Sequence, residues 1–124
     1  MPTAPTTPVA SVNEVRLVGR VSGDPQTRVL PSEDELVTFR LVVDRPTEKR
    51  KPKPVVGRTP SVDTFDIACW SATTRRRAGL LVPGDVVEVN GSLRRRFWKA
   101  GAGAVSRCEV EATTIARLRR AASA

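Results

Sequence analysis

The chain has no histidine and no tyrosine, one methionine and two cysteines, and aromatic residues make up only 4% of it. Each scarcity excludes something. Without histidine the commonest general acid–base residue is missing. Cys69 and Cys108 form no CxxC pair, and no Cys/His metal spacing exists. There is no glycine-rich phosphate loop and no nucleophile motif. The carboxylates are scattered, apart from Glu33, Asp34 and Glu35, which cluster in one polar stretch. No enzyme activity, no metal and no other cofactor is expected.

Long apolar runs are also missing, and none approaches the length of a membrane span. The first residues, MPTAPTTPVAS, have neither the positive segment nor the apolar core of a signal peptide. These features place the chain in a reducing cytoplasm with free thiols. Both cysteines are expected as small buried hydrophobes.

What is present is positive charge. The chain has 124 residues, 40% of them hydrophobic, and a net charge of +8. That length fits one domain. So short a chain buries a modest share of its surface, and oligomerisation would add stability. The estimated pI is 11.0, and a pI above about 9 marks polyanion binders. The charge is clustered. Residues 1–44 hold four arginines and six acids, whereas Arg45–Arg58 hold six basic residues and one acid, Glu48. Arg75, Arg76 and Arg77 form a second group, and Arg94, Arg95, Arg96 and Lys99 a third.

Hydrophobic alternation predicts strands. Val15, Leu17, Gly19 and Val21 share one face of the segment 12–21. Gly23-Asp24-Pro25 predicts a turn, and Thr27–Leu30 reads as the start of another strand, cut off by Pro31–Glu35. Val37, Phe39, Leu41 and Val43 alternate cleanly across 36–44. Four prolines between Arg45 and Pro60 forbid a central strand there, so this basic stretch is expected as a mobile loop. Asp63–Trp70 is a strand with Phe65, Ile67 and Cys69 on one face. Ser71–Leu81 is the helix candidate, with Ser71 as N-cap and Pro83-Gly84-Asp85 as its stop. Val86–Leu93 is a strand bent at Gly91 and extended outward by Arg94–Lys99. Gly101-Ala102-Gly103 turns the chain into a last strand, 107–112, with Cys108, Val110 and Ala112 on one face. Residues 1–11 are expected as a disordered tail, 12–115 as the domain, and 116–124 as a short basic tail. Five strands with one helix after the third describe an all-β OB-fold barrel.

The chain resembles the bacterial single-stranded DNA-binding protein family. The resemblance rests on Asn13-Glu14-Val15-Arg16-Leu17-Val18-Gly19-Arg20-Val21 and Gly23-Asp24-Pro25. It continues through Val37–Val43, Ile67-Ala68-Cys69-Trp70, and most specifically Gly84 to Trp98, which ends in a G-x-L-R-x-R-x-W pattern. It implies a homotetramer that wraps single-stranded DNA without sequence preference. Trp70 and Trp98 fall where the family has base-stacking aromatics. The chain departs from the family at about Thr47 and at Thr64, where an aromatic often stands. It also ends in Arg117-Leu118-Arg119-Arg120, not an acidic, Phe-terminated tip, which implies an accessory paralogue without tip-dependent recruitment.

Single-strand binders need cations along the backbone and flat faces for bases. Trp70 lies opposite in parity to the apolar face of its strand, so it either stacks on bases or packs under the following helix. Trp98 follows three arginines and either stacks or fills a hairpin or subunit interface. Phe39, Phe65 and Phe97 are expected as structural. Arg94 and Arg96 share a strand face and offer forked donors to phosphate. Lys49, Arg50, Lys51, Lys53 and Arg58 are expected to supply a diffuse field. Arg75–Arg77 are equally well read as solvated. Two other readings stay open: an RNA-binding OB domain, and a replication adaptor with weak nucleic-acid binding.

Overall fold

The computed structural model describes residues 8–46 and 61–122. Five strands and one helix follow in the order β1 (Val15–Val29), β2 (Glu35–Asp44), β3 (Val62–Cys69), α1 (Ala72–Gly79), β4 (Val86–Ala100) and β5 (Gly103–Arg119). The strands close into a barrel in the order β1-β2-β3-β5-β4. Closure removes the free edges of an open sheet. The seam between β3 and β5 is parallel and short, pairing Ile67 with Val110 and Ala68 with Glu111. All other pairings are antiparallel.

The alternation read from the sequence builds the core. Val21, Val37, Phe39, Leu41, Ile67, Cys69, Val87, Val89, Val110 and Ala112 point inward, and Phe65 packs against them. Leu41 and Ile67 are fully buried, each worth about 1.5–3 kcal/mol. The helix closes one end of the barrel. Ser71 caps it, its Oγ accepting from the Thr74 N–H at 3.1 Å, and Ala78 and Leu81 enter the core.

Glycine permits the tight curvature at two strand contacts. A Cβ on Gly19 would stand 2.3 Å from the Val42 carbonyl oxygen, and one on Gly91 would stand 2.0 Å from that of Glu111. The β4–β5 register shifts between Asn90 and Gly91, where the sequence predicts the bend.

Three boundaries differ from the sequence reading. Gly23-Asp24-Pro25 does not end a strand. It forms an irregularity inside β1, between Ser22 and Gln26, after which pairing with β2 resumes. Thr27–Val29 is therefore the second half of β1 and no separate strand. The last strand is longer than 107–112, because β4 pairs it from Ala100↔Gly103 to Val86↔Arg119. Residues 116–119, drawn as tail, belong to that strand. Cys69 is buried as expected, but Cys108 is exposed. The strand continues past the barrel at this point, so its inward-parity face has no core to enter. The expected basic loop between Arg45 and Pro60, including Lys49, Arg50, Lys51, Lys53 and Arg58, lies outside the described residues from position 47 onward.

Candidate nucleic-acid interface

Beyond Leu93 and Val110, β4 and β5 pair only with each other and form a two-stranded arm, turned at Gly101 with φ 61°. Strand parity gives the arm two faces. Arg94, Arg96 and Trp98 occupy one, opposite Val105, Arg107, Glu109 and Glu111. Leu93, Arg95, Phe97 and Lys99 occupy the other.

The first face bends over the barrel and encloses a depression of about 400 Å³. Trp70 enters it from the end of β3, and Trp98 and Arg96 from the arm. Arg28, Leu30, Leu36 and Thr38 line its opposite wall. The two tryptophans are 70 and 98 in sequence, and the barrel brings them into one groove. Trp70 is half-buried. Its indole N–H is buried without a partner among the described residues. Trp98 is 46% exposed.

Two of the three cations that line the groove, Arg96 and Arg107, are held by acids. Arg96 lies over the Trp70 ring, 4.6 Å from its centroid, within range of a cation–π contact. Glu109 accepts a hydrogen bond from Arg96 on its other side. Arg107 pairs with Asp66, whose other oxygen stands 3.8 Å from Arg40. Arg94 pairs with Glu111 at 3.0 Å and does not line the depression. Arg95 points to the far face and donates to Ser106. Such partly exposed pairs exchange readily for other anions, since each contributes at most about 1 kcal/mol.

Arg28, Asp66, Arg107 and Glu109 were not singled out in the sequence. They lie on three different strands, and only the barrel register places them together. The strict alternation of Arg107, Glu109 and Glu111 opposite Arg94 and Arg96 was the available signal. Phe97 departs from expectation. It is 70% exposed, because the arm leaves the barrel before reaching it and its face has nothing to cover.

The described residues contain no cluster of three or more metal-ligating side chains. No helix among them is long and apolar enough to cross a membrane.

Comparison with known proteins gives a consistent answer. Residues 12–118 match the model of the Single-strand binding protein family. The chain is 30% identical over 89 residues to single-stranded DNA-binding protein 1 of Synechocystis sp., covering 72% of this chain and 67% of that one. It is 28% identical over 107 residues to the single-stranded DNA-binding protein of Treponema pallidum, covering 86% and 58% respectively. The chain thus spans about two thirds or less of these relatives' length. Among solved structures, a Plasmodium falciparum SSB complex with ssDNA superposes with a TM-score of 0.72 at 22% identity, covering 90% of this chain and 99% of that one. A small single-stranded DNA-binding protein from Streptomyces coelicolor superposes at 0.59 and 23% identity, covering 84% and 92%. These two likenesses establish the barrel fold.

Proposed function

This chain belongs to the single-strand binding protein family, and we propose that it binds and protects single-stranded DNA without sequence preference during replication, recombination or repair. The observation that carries this reading is the shared groove of Trp70 and Trp98, flanked by Arg28, Arg96 and Arg107. A base stacked on an aromatic gains ~1–3 kcal/mol whatever its identity. Forked guanidiniums pair with the phosphates between successive bases. The basic stretch Lys49, Arg50, Lys51, Lys53 and Arg58 supplies further long-range attraction, and Arg94 adds to it from beside the groove.

The protein acts by binding and carries out no catalysis. Its work is in the cytoplasm, at the nucleoid. Copies assemble, as a homotetramer, and the exposed Phe97 with its neighbour Leu93 is the apolar surface that assembly would cover. Light scattering at micromolar concentration should give a mass well above 13.5 kDa.

The direct test is titration with poly-deoxythymidine. Tryptophan emission should be quenched, and Trp70→Ala or Trp98→Ala should each weaken binding by ~1–3 kcal/mol. Unchanged affinity in both variants would reject the stacking groove. Equal or tighter binding of poly-uridine would move the reading to RNA.

A further inference from the structure

A further group of cations without a carboxylate partner lies away from the groove. Arg40, Arg94, Arg96 and Arg107 all have a carboxylate within 4 Å. Among the described residues, Arg28 of the groove wall, Arg75, Arg95 and Lys99 are in no such pair, and neither are Arg76, Arg77, Arg119 and Arg120. Arg76 and Arg77 stand in the last turn of α1. Arg119 and Arg120 stand at the end of β5, against which α1 packs. Arg117, on the same strand, is paired with the buried Asp85 at 3.6 Å. Arg77 reaches β5 itself, donating to the Ile115 carbonyl oxygen at 3.3 Å. Arg77 and Arg117 also line one small depression of about 140 Å³ with Leu80, Leu81 and Ile115. It shares no lining residue with the tryptophan groove.

Helix polarity accounts for part of this. Cations near a helix C-terminus are favourable, which explains Arg76 and Arg77. It does not explain why β5, which packs against the helix, ends in two further arginines without a carboxylate partner, Arg119 and Arg120. Nor does it explain the leucine among them. Leu80 is 68% exposed and Val82, two residues on, is 50% exposed. The face is therefore both strongly cationic and apolar.

That combination selects its ligand. A phosphodiester chain would satisfy the arginines but gain nothing from Leu80, and no aromatic ring lines the depression to stack a base. An acidic peptide satisfies both. Its carboxylates pair with guanidiniums in a forked geometry, and Arg clusters recognise acidic motifs in this way. We infer that the face formed by the end of α1 and the end of β5 is a docking site for an acidic peptide segment bearing an apolar side chain, which seats against Leu80 between Arg77 and Arg117.

The probe is a fluorescein-labelled peptide of alternating Asp and Leu, titrated with the full chain and read by anisotropy. It should bind saturably. Arg77→Glu should weaken it about tenfold or more, equivalent to 1.4 kcal/mol. Leu80→Ser, which leaves the charge unchanged, should also weaken it severalfold. An Asp–Ser peptide of equal charge should bind less tightly than Asp–Leu. Poly-deoxythymidine should not displace the peptide, and Trp70→Ala should not affect it. Melting curves verify that the variants fold. Failure to bind saturably, equal binding of the Asp–Ser peptide, or displacement by poly-deoxythymidine would each overturn the inference. So would an Arg77→Glu variant that loses DNA affinity but keeps the peptide, since the occupant would then be nucleic acid. The groove reading stands or falls separately, on Trp70→Ala and poly-deoxythymidine alone.

Discussion

The guanidinium of Arg96 lies 4.6 Å from the centroid of the Trp70 ring. Glu109 holds it there from the opposite strand of the arm. The ring, the cation and the carboxylate thus form one preassembled unit. On the proposed function, a phosphate entering the groove would replace Glu109 as the partner of Arg96.

Glu109→Gln tests that exchange. Glutamine keeps an acceptor for Arg96 and removes a negative charge from a groove built for a polyanion. Affinity for poly-deoxythymidine should rise severalfold at low salt. The salt dependence should steepen by about 0.7 in log K per log salt for each added phosphate contact. Anisotropy titrations at several salt concentrations measure both. Identical affinity and slope in the variant would mean that Glu109 does not compete with DNA.

Gly91→Ala tests the bend that launches the arm. The new methyl would stand 2.0 Å from the Glu111 carbonyl oxygen and 2.9 Å from its carbon. Both atoms are backbone, so the β4–β5 pairing must shift. Forced overpacking of this kind costs about 1–3 kcal/mol. Urea unfolding should show the loss as a lower midpoint, and the displaced arm should also weaken DNA binding. A variant as stable as the parent would show that the strands are not held so closely.

Asp85 sets an acid limit on stability. Its side chain is fully buried and accepts from the Val82 and Ala121 N–H groups at 2.9 and 2.7 Å. The hydrogen bond from Val82 is the main cause that holds its carboxyl below the usual carboxylate range. Burial opposes this, and Ala121 and Arg117 add to it. With the folded pKa depressed, the stabilisation is complete above the unfolded value of about 3.9 and lost as pH falls through the folded value. Asp85→Asn should therefore lose about 1–3 kcal/mol at neutral pH, and its deficit relative to the parent should shrink below about pH 4. A constant deficit down to pH 2 would contradict the assignment.

The two cysteines should separate by reactivity. Cys69 is buried, and its thiol is pushed up to about 12 by burial, with a hydrogen bond to Thr74 opposing. Cys108 is exposed on the arm. Since the thiolate is the reacting form, a thiol reagent at neutral pH should label Cys108 promptly. Cys69 should react only in denaturant. Prompt labelling of both would mean that the barrel opens near β3.

The barrel itself was legible in the chain. Val37, Phe39 and Leu41 alternate with a period of two, Ser71 caps the helix, and Gly91 and Gly101 mark the bend and the turn. These features depend on neighbours within a few residues, so local pattern is enough to read them. Gly23-Asp24-Pro25 was misread because the same local signal serves a turn and an irregularity within a strand. Only the continuing pairing of Gln26–Val29 with β2 distinguishes the two.

Residue types and their parity were likewise set by the sequence alone: two tryptophans, arginines on alternating arm positions, and a positive net charge. What the tertiary structure decided is which of these meet. Trp70 and Trp98 share a groove because the β3–β5 seam sets the end of β3 beside the base of the arm. Arg96, Arg107 and Arg94 carry carboxylate partners because the β4–β5 register places Glu109 and Glu111 within reach and β3 brings Asp66 to Arg107. Phe97 is exposed, and Cys108 with it, because the arm outruns the barrel. Alternation tells which side of a strand a residue takes, but whether anything lies on that side depends on contacts between segments far apart in the chain.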